Sequence, residues 1–515
     1  MKRNLSPMGG FAFIGARVAR FSEDILERNG FVGHTVNYIG QVGAGQIFQA
    51  LENGVDSVAL LGCAEEECRH GIGVRNARKQ VEISQRLLSL LGFNLQQVQF
   101  ISIVSEGEVA LALGRFPRTK EKCVVHGETV REERNVGFGN ESGFVCVGCG
   151  RCSSVCPVSR TGLGFSPRRL IQQAETANKI LPARVLYSCL GCDQCASVCP
   201  SGKSIAEELL RLRTSAYSKG IAPVLAHGGV IQRLQRMMAK SSLPQNRIGW
   251  VDSTLRVVEK GKVALWTGCA SYLDVLFSDL GVNLVETLRA AVRIMNRLGI
   301  EPVVLSDERC CGHDLLWLGD VGTVKKLAEH NLISLQSAGV KEVVFLCPEC
   351  LRTFKLDYPR MVVKWWSEAK KKGADRLKFM HISEFLVERG FKPEGREKPV
   401  CVTYQDPCRL GRQLGIIDAP RQIITHVNGV EFREMAHNRS EGLCCGGTSW
   451  LECGAAVKLL QERRLKEAVE ADCLITAGSK CEIHFRCALE SRRTNKALWI
   501  VNLVDFVSEK EQAER

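Results

Sequence analysis

Two stretches of the sequence, CVGCGRCSSVCP at residues 146–157 and CLGCDQCASVCP at residues 189–200, have the same cysteine spacing. The shared pattern C-x2-C-x2-C-x3-C-P is typical of a pair of [4Fe-4S] cubanes, in which three cysteines hold one cluster and the fourth reaches its neighbour. The predicted ligand sets are Cys146, Cys149 and Cys152 with Cys199, and Cys189, Cys192 and Cys195 with Cys156. Structural zinc is a weaker alternative, because zinc prefers an isolated set of four ligands.

The composition agrees with a metal-binding protein of a reducing compartment. The chain has 515 residues, and its 24 cysteines are grouped in CxxC and CC motifs rather than scattered as in a secreted disulfide scaffold. No apolar run is long enough to cross a bilayer, so the sequence predicts a cytoplasmic protein without a membrane span of its own. The net charge of +13 would be offset in large part by anionic clusters, and we therefore expect no nucleic-acid partner.

The predicted fold class is a multi-domain chain with α/β and α-helical domains. The strand Val55–Leu61, the helix Asn76–Leu91 and the strand Val98–Val104 indicate a small α/β domain at the N-terminus. A helical stretch at Pro167–Leu181 separates the two cysteine loops. The predicted order is an α/β domain at 1–115, a linker at 116–142, the two-cluster module at 143–225, a linker at 226–260, and α/β domains at 261–395 and 396–515.

The C-terminal half of the chain contains an internal repeat. Residues 262–390 and 398–507 share an order of strand, single Cys, long helix, strand, CCG, helix, strand and cysteine cluster. The copies align as ALWTGC with TYQDPC, ERCCG with GLCCG, VVFLCPEC with CLITAGSKC, and HISEFLVERG with NLVDFVSEK. We therefore predict two tandem α/β domains of one family.

Each copy of the repeat has its own cysteine set. The first set is Cys269, Cys310, Cys311, Cys347 and Cys350, and the second is Cys408, Cys444, Cys445 and Cys481. Two vicinal cysteines do not easily ligate a regular cubane corner together, so five cysteines with a CC pair predict a cluster of another shape. A buried pair of small apolar cysteines is the plainer alternative, but it would not explain the CxxC motif as well.

The second copy lacks one cysteine of the terminal CxxC motif. One alignment places Cys481 opposite Cys350 and Gly478 opposite Cys347, and it has more matching residues. The other places Cys481 opposite Cys347 and His484 opposite Cys350. Candidate substitutes for the missing ligand are Cys487 and Cys453. This second site is therefore predicted to be either a four-thiolate cluster with changed reactivity or an empty remnant.

Residues 143–510 resemble the iron–sulfur proteins of the heterodisulfide reductase family, which share the two-cluster ferredoxin module and the cysteine-rich CCG domains. The resemblance extends to iron–sulfur subunits of glycolate oxidase and lactate utilisation. It implies that the five cysteines of the first copy hold a noncubane [4Fe-4S] cluster that splits a disulfide in two one-electron steps. Arg409 stands where this family often has His.

Residues 8–115 resemble the delta subunit of methyl-viologen-reducing hydrogenase through GCAEEEC at 62–68, NAR at 76–78 and VQFISIVSEGE at 98–108. The delta subunit uses a [2Fe-2S] cluster to deliver electrons to heterodisulfide reductase. The candidate metal ligands here are Cys63 and Cys68. Because two thiols do not supply the four ligands that such a cluster needs, we interpret the domain chiefly as a docking element.

The resemblance implies an oxidoreductase of anaerobic metabolism, the catalytic and electron-transfer subunit of a heterodisulfide reductase-like complex. The implied partner is an FAD-containing protein similar to the A subunit of heterodisulfide reductase, and further candidates are a hydrogenase, a formate dehydrogenase or a ferredoxin. Two alternatives stay open. One is the iron–sulfur subunit of a 2-hydroxyacid or quinone-linked dehydrogenase, and the other is an electron carrier and assembly scaffold without its own substrate.

Overall fold

The computed structural model describes residues 9–19, 23–66, 68, 72–103, 105–117, 146–176, 181–202, 204–240, 243–363, 377–395, 398–447, 450–490 and 498–508. The chain divides into two compact units. The N-terminal unit comprises Met1–Glu132 and Leu225–Asn246, and the C-terminal unit comprises Glu133–Val224 and Arg247–Arg515. Almost all of the linker predicted at 116–142 lies outside the described residues. None of the helices in the described part of the chain has the length and apolar character needed to span a membrane.

The N-terminal unit is built on a parallel sheet of four strands in the order β2-β1-β3-β4. The strands are β1 Gly10–Gly15, β2 Phe31–Val36, β3 Ser57–Gly62 and β4 Val98–Ser102. The helices are Glu23–Arg28, Ala44–Glu52, Ile72–Leu90, Glu106–Gly114 and Val230–Met238. Every residue of β3 is buried, as expected for an apolar strand that is covered on both faces. The predicted α/β domain is confirmed, and its long helix begins at Ile72 rather than at Asn76.

One helix of the N-terminal unit comes from a distant part of the sequence. Val230–Met238 packs on the helix Ala44–Glu52, and its apolar side chains are buried. The Glu52 carboxylate accepts hydrogen bonds from the guanidinium groups of Arg233 and Arg236. Apolar burial and a partly buried ion pair therefore hold this helix to the N-terminal unit.

The prediction of a linker over residues 226–260 is consequently wrong for residues 226–246, which belong to the N-terminal unit. The charged and amide side chains of this stretch concealed an amphipathic helix, whose apolar face is recognisable only once the helical period is imposed. A close backbone approach adds to the packing, since a Cβ atom at Gly45 would lie 2.5 Å from the carbonyl oxygen of Gly228. Glycine is therefore required at this contact.

The two-cluster segment of the C-terminal unit is helical. Its helices are Arg151–Val155, Pro167–Thr176, Ala183–Tyr187 and Ile205–Ser218. The helix Pro167–Thr176 confirms the helical stretch predicted between the cysteine loops, and residues 177–180 lie outside the described residues. Gly150 and Asp193 occupy the same position in the two loops, and both have a left-handed backbone, with φ of 79° and 62°. The two loops thus share their turn as well as their spacing.

Each copy of the repeat forms a parallel sheet. The first contains β5 Val263–Trp266, β6 Glu342–Phe345 and β7 Lys378–His381, in the order β5-β6-β7. The second contains β8 Val400–Gln405, β9 Val430–Phe432, β10 Cys473–Thr476 and β11 Trp499–Asn502, in the order β11-β10-β8-β9. In the first copy, Val303 forms an isolated bridge to Ala264, in the place of β9. The internal repeat is therefore confirmed, with β5, β6 and β7 matching β8, β10 and β11.

Helices cover the two sheets. In the first copy they are Ala270–Leu276, Leu284–Arg297, His313–Leu318, Val321–Ser337, Pro348–Arg352, Tyr358–Met361 and Ile382–Glu388. In the second copy they are Gly411–Leu414, Asp418–Thr425, Ala455–Glu467, Ser479–Glu490 and Leu503–Ser508. Cysteines follow β5, β6, β8 and β10 shortly after each strand ends. Because parallel strands end at the same edge of a sheet, this arrangement gathers the cysteines of each copy at one edge.

Candidate iron–sulfur sites

The two cysteine loops of the helical segment line two separate cavities. One is lined by Cys146, Cys149, Cys152 and Cys199. The other is lined by Cys156, Cys189, Cys192 and Cys195. These are the same two sets that the spacing predicts, with the fourth cysteine of each loop crossing to the other cavity. We call them the first and second quartets, and iron binding by them stays a prediction.

Arginine side chains surround the second quartet. The buried guanidinium of Arg213 donates hydrogen bonds to the carbonyl oxygens of Leu186 and Cys189, at 2.8 and 2.7 Å. Arg412 donates to the carbonyl oxygen of Cys192 at 2.8 Å. Burial raises the pKa of the Cys189 thiol to about 12. Positive charge and bound metal both favour the thiolate over the thiol, so these arginines suit an anionic group in the cavity.

The five cysteines of the first repeat copy converge on one place, which we call the first CCG site. The sulfur atoms of Cys269 and Cys310 are 2.9 Å apart. Cys311 is hydrogen-bonded to Cys310 and Cys350, and Cys350 is hydrogen-bonded to Cys347. All five residues of the predicted set are therefore neighbours, including the pair Cys269 and Cys310 with its long sequence interval.

One thiol of the first CCG site is shifted toward the thiolate. Hydrogen bonds from Cys310 and then from Cys350 lower the pKa of Cys311 to about 7. The phenol of Tyr358 donates to the backbone carbonyl of Cys311 at 2.9 Å, which fixes the CC turn. A low thiol pKa is what a metal ligand needs, because the ligand binds as the thiolate.

A buried ion pair supports the loop that presents Cys269. The carboxylate of Glu308 accepts hydrogen bonds from the backbone N–H groups of Thr267 and Gly268, at 3.0 and 2.6 Å. Arg247 donates to the same carboxylate at 2.8 Å. This network joins the segment before Cys310 to the end of β5, and it holds Cys269 in position beside the CC pair.

The four cysteines of the second copy also come together, at what we call the second CCG site. Cys408 and Cys444 have sulfur atoms 4.0 Å apart, and those of Cys445 and Cys481 are 3.3 Å apart. Cys444 and Cys445 are hydrogen-bonded to each other. Four thiols thus form a continuous group in the expected places.

The structure decides between the two alignments of the terminal motif. Gly478 lies two residues after β10, just as Cys347 lies two residues after β6, and each immediately precedes a helix. Cys481 therefore corresponds to Cys350, and the lost ligand is at Gly478. The imidazole Nδ1 of His484 instead lies 2.8 Å from the side-chain amide of Gln461.

The candidate substitutes for the missing ligand, Cys487 and Cys453, have contacts that do not place them at the second CCG site. The sulfur of Cys487 lies 3.3 Å from the ammonium of Lys458. Cys453 is half-buried in the segment before the helix Ala455–Glu467. The second CCG site is accordingly a four-cysteine site in this structure.

The second quartet lies beside the second CCG site, a relation that cysteine spacing does not reveal. Cys192 packs against Cys408 and Cys444 in one apolar cluster, with Leu190 at its edge. Arg409, next to Cys408, donates a hydrogen bond to the carbonyl of Gly191 in the cysteine loop. Arg409 stands where the related family often has His, a departure that by itself did not predict this junction.

Trp317 of the first copy also contacts this junction. The guanidinium carbon of Arg409 lies 4.2 Å from the centre of the Trp317 ring, a cation–π distance. A Cβ at Gly191 would clash with the same ring, so the loop can approach only with glycine here. Both repeat copies therefore touch the loop of the second quartet.

Buried nitrogen atoms near these sites have no protein partner within the described part of the chain, which fits a hydrogen-bonding group such as a cluster. Nε and Nη2 of Arg409 and Nε2 of His313 are buried and have no hydrogen-bond partner among the described residues. Such groups are costly to bury without a partner, and cluster sulfides and thiolates accept N–H hydrogen bonds. Within the described residues, no three or more His, Cys, Asp or Glu side chains are arranged to hold a single metal ion. The donor chemistry is that of thiolate-ligated iron–sulfur clusters.

In the N-terminal unit, Cys63 and Cys68 lie together after β3 and are hydrogen-bonded to each other. Burial, followed by the neighbouring Cys68, raises the pKa of the Cys63 thiol. The strand β1 occupies the FAFIG stretch, which contains no cysteine. The interpretation of this unit as a docking element rather than a [2Fe-2S] site stays a prediction.

Family models match all three parts of the chain. The methyl-viologen-reducing hydrogenase delta subunit matches residues 34–114, a 4Fe-4S dicluster domain matches 144–203, and a cysteine-rich domain matches 263–355 and 402–486. The fold and these matches define an iron–sulfur electron-transfer subunit of an oxidoreductase.

Curated relatives narrow the class to a family. The D subunit of dihydromethanophenazine:CoB–CoM heterodisulfide reductase from Methanosarcina acetivorans is 30% identical, over 68% of this chain and 90% of the relative. The same subunit from Methanosarcina barkeri is 28% identical, over 71% of this chain and 93% of the relative. The B subunit of the fumarate reductase (CoM/CoB) from Methanothermobacter marburgensis is 27% identical, over 73% of this chain and 63% of the relative. The chain belongs to the family of the heterodisulfide reductase D subunit.

Proposed function

We propose that this chain is the catalytic iron–sulfur subunit of a heterodisulfide reductase-like complex. The two quartets would each hold a [4Fe-4S] cubane, and the five cysteines of the first CCG site would hold a noncubane [4Fe-4S] cluster at which a disulfide is reduced, or a dithiol oxidised. When bound, these clusters would supply one-electron transfer and capture of the substrate sulfur on iron. The observation that carries the proposal is the convergence of five cysteine sulfurs, including a vicinal pair, at the first CCG site.

The residues of this chain have separable tasks in the proposal. Cys311, with its pKa lowered to about 7, would bind the cluster as a thiolate, and the other four cysteines of the first CCG site would complete the ligand set. Arg409 and Arg412 hold the loop of the second quartet against the second copy through backbone carbonyls. Because Cys192 packs on Cys408 and Cys444, we place the second CCG site on the electron route between the second quartet and the first CCG site.

The electron donor would be a partner protein. None of the three family models that match this chain describes a flavin-binding domain. We therefore propose an FAD-containing protein similar to the A subunit of heterodisulfide reductase as the donor. A hydrogenase, a formate dehydrogenase or a ferredoxin would supply electrons further upstream. The N-terminal unit, which matches the hydrogenase delta subunit, would dock that donor.

The test is disulfide reduction by the anaerobically reconstituted full chain, with reduced methyl viologen as the donor. We expect Cys310→Ala and Cys311→Ala to lose turnover to the background rate while dithionite still reduces the cubanes. Cys401→Ala serves as a matched control, because Cys401 lies near the start of β8, whereas Cys408 follows the end of that strand. Normal turnover by either CC variant would refute the terminal role of the first CCG site.

A further inference from the structure

The two repeat copies meet at their cysteine loops. A Cβ at Gly478 of the second copy would lie 3.6 Å from the ring of Pro348 in the first. At this contact Lys480 is only 5% exposed, and its ammonium pairs with the carboxylate of Asp314 from the first copy. Because Cys481 corresponds to Cys350, Lys480 takes the place that Glu349 has in the first copy. The second copy therefore presents a cation where the first presents an anion.

The charge of Lys480 acts on groups of the first copy. Its ammonium is paired with the buried carboxylate of Asp314, and it also interacts electrostatically with Cys347 and Cys269 of the first CCG site. An ammonium paired with a buried carboxylate stays charged, because neutralising it would leave the carboxylate uncompensated. Lys480 therefore presents a positive charge to the first CCG site.

The first CCG site needs such a cation more than the quartets do. A cluster held by five thiolates has about one more negative charge than a cubane held by four. Asp314 and Glu349 add carboxylates beside it, and both are less than 10% exposed. Each further electron is opposed by this negative charge, and the opposition is strong where water is excluded. A single buried ammonium next to the site therefore favours the reduced state.

We propose that Lys480 compensates the negative charge of the first CCG site. The second copy supplies this residue across the interface between the repeats. Its positive charge allows the cluster at the first CCG site to accept electrons from the electron route. The proposal rests on the proposed function, in which the five cysteines of the first copy hold a cluster. It also gives the second copy a role that does not require a cluster of its own.

The experiment is a potentiometric titration of the full, anaerobically reconstituted chain, followed by electron paramagnetic resonance. In Lys480→Met we expect the ratio of reduced to oxidised cluster at the first CCG site to fall at least tenfold at a fixed potential, about 59 mV for one electron. Lys480→Arg should retain most of the wild-type ratio, because it keeps the charge. Glu349→Gln should raise the ratio of reduced to oxidised cluster, because it removes a negative charge beside the same cluster.

Iron content and the cubane signals separate failure of this proposal from failure of the proposed function. If the wild type has no signal beyond the cubanes, the proposed function is wrong and Lys480 has nothing to compensate. If the cluster is present and Lys480→Met leaves its potential unchanged, the role of Lys480 is refuted. If Lys480→Met loses iron, the test rests on Glu349→Gln. A lower fraction of reduced cluster in Glu349→Gln than in the wild type, or an unchanged fraction, would then overturn the proposal.

Discussion

His381 provides a prediction about stability, and the second repeat copy offers a matched control for it. His381 ends β7 and caps the helix Ile382–Glu388, where its Nδ1 accepts a hydrogen bond from the backbone N–H of Ser383 at 3.2 Å. Its counterpart in the second copy is Asn502, whose side-chain oxygen accepts from the backbone N–H of Val504 at 3.1 Å. The two side chains make the same cap, but only the histidine can become charged.

Burial lowers the pKa of His381 to about 4, whereas an unfolded histidine has a pKa of about 6.5. Between these two values the unfolded state binds more protons than the folded state, so stability rises with pH across this window. The stabilising contribution is complete above about pH 6.5 and is lost progressively as pH falls toward about 4. From pH 7.5 to pH 5.5 the loss is about 1.3 kcal/mol, close to a tenfold change in the opening equilibrium.

The change to test is His381→Asn, which should keep the cap and remove the titration. The assay is native-state hydrogen exchange of the amides in the helix Ile382–Glu388 at several pH values, after correction for intrinsic exchange rates. We expect the wild type to lose about 1.3 kcal/mol of opening free energy by pH 5.5 relative to His381→Asn. The reverse change, Asn502→His, should introduce a similar loss in the second copy. Parallel pH profiles for wild type and His381→Asn would refute the argument that His381 is buried in its neutral form.

Four further outcomes are expected. Cys445→Ala should reduce turnover less than Cys311→Ala, because its site already lacks a ligand, and equal losses in disulfide reduction would contradict this ranking. The reconstituted chain should contain roughly 12 to 16 irons, with about 16 if the second CCG site is occupied, and iron analysis of the anaerobic protein gives the count. Gly478→Cys should fold normally, since its Cβ would make only ordinary contacts of 3.5 Å or more, and it should change the paramagnetic signal of the second CCG site; an unchanged signal would argue against a cluster there. Glu52→Gln should lower the exchange protection of the helix Val230–Met238 by about 1 kcal/mol, and unchanged protection would show that its ion pairs do not hold that helix.

Much of the candidate site could be predicted from the sequence because ligand spacing is a local property. Three cysteines within a short loop can surround only one metal centre, and the fourth reaches the neighbouring centre, so the two quartets follow from the C-x2-C-x2-C-x3-C pattern. The repeat likewise follows from the order of strands and cysteines, and parallel strands then bring the cysteines to one edge. The alignment of Cys481 with Cys350 was favoured by matching residues and is confirmed by its distance from the preceding strand.

Relations between distant segments required the tertiary structure, because they depend on which surfaces pack together rather than on local spacing. Residues 225–246 have a charged sequence, yet their apolar face packs on the N-terminal sheet unit. Cys192 and Cys444 are neighbours only because the cysteine loop packs on the second copy. The pairing of Lys480 with Asp314 spans 166 positions in the chain. The sequence by itself determined the cysteine sets and the repeat, whereas packing between the copies decided which charges and which sites are neighbours.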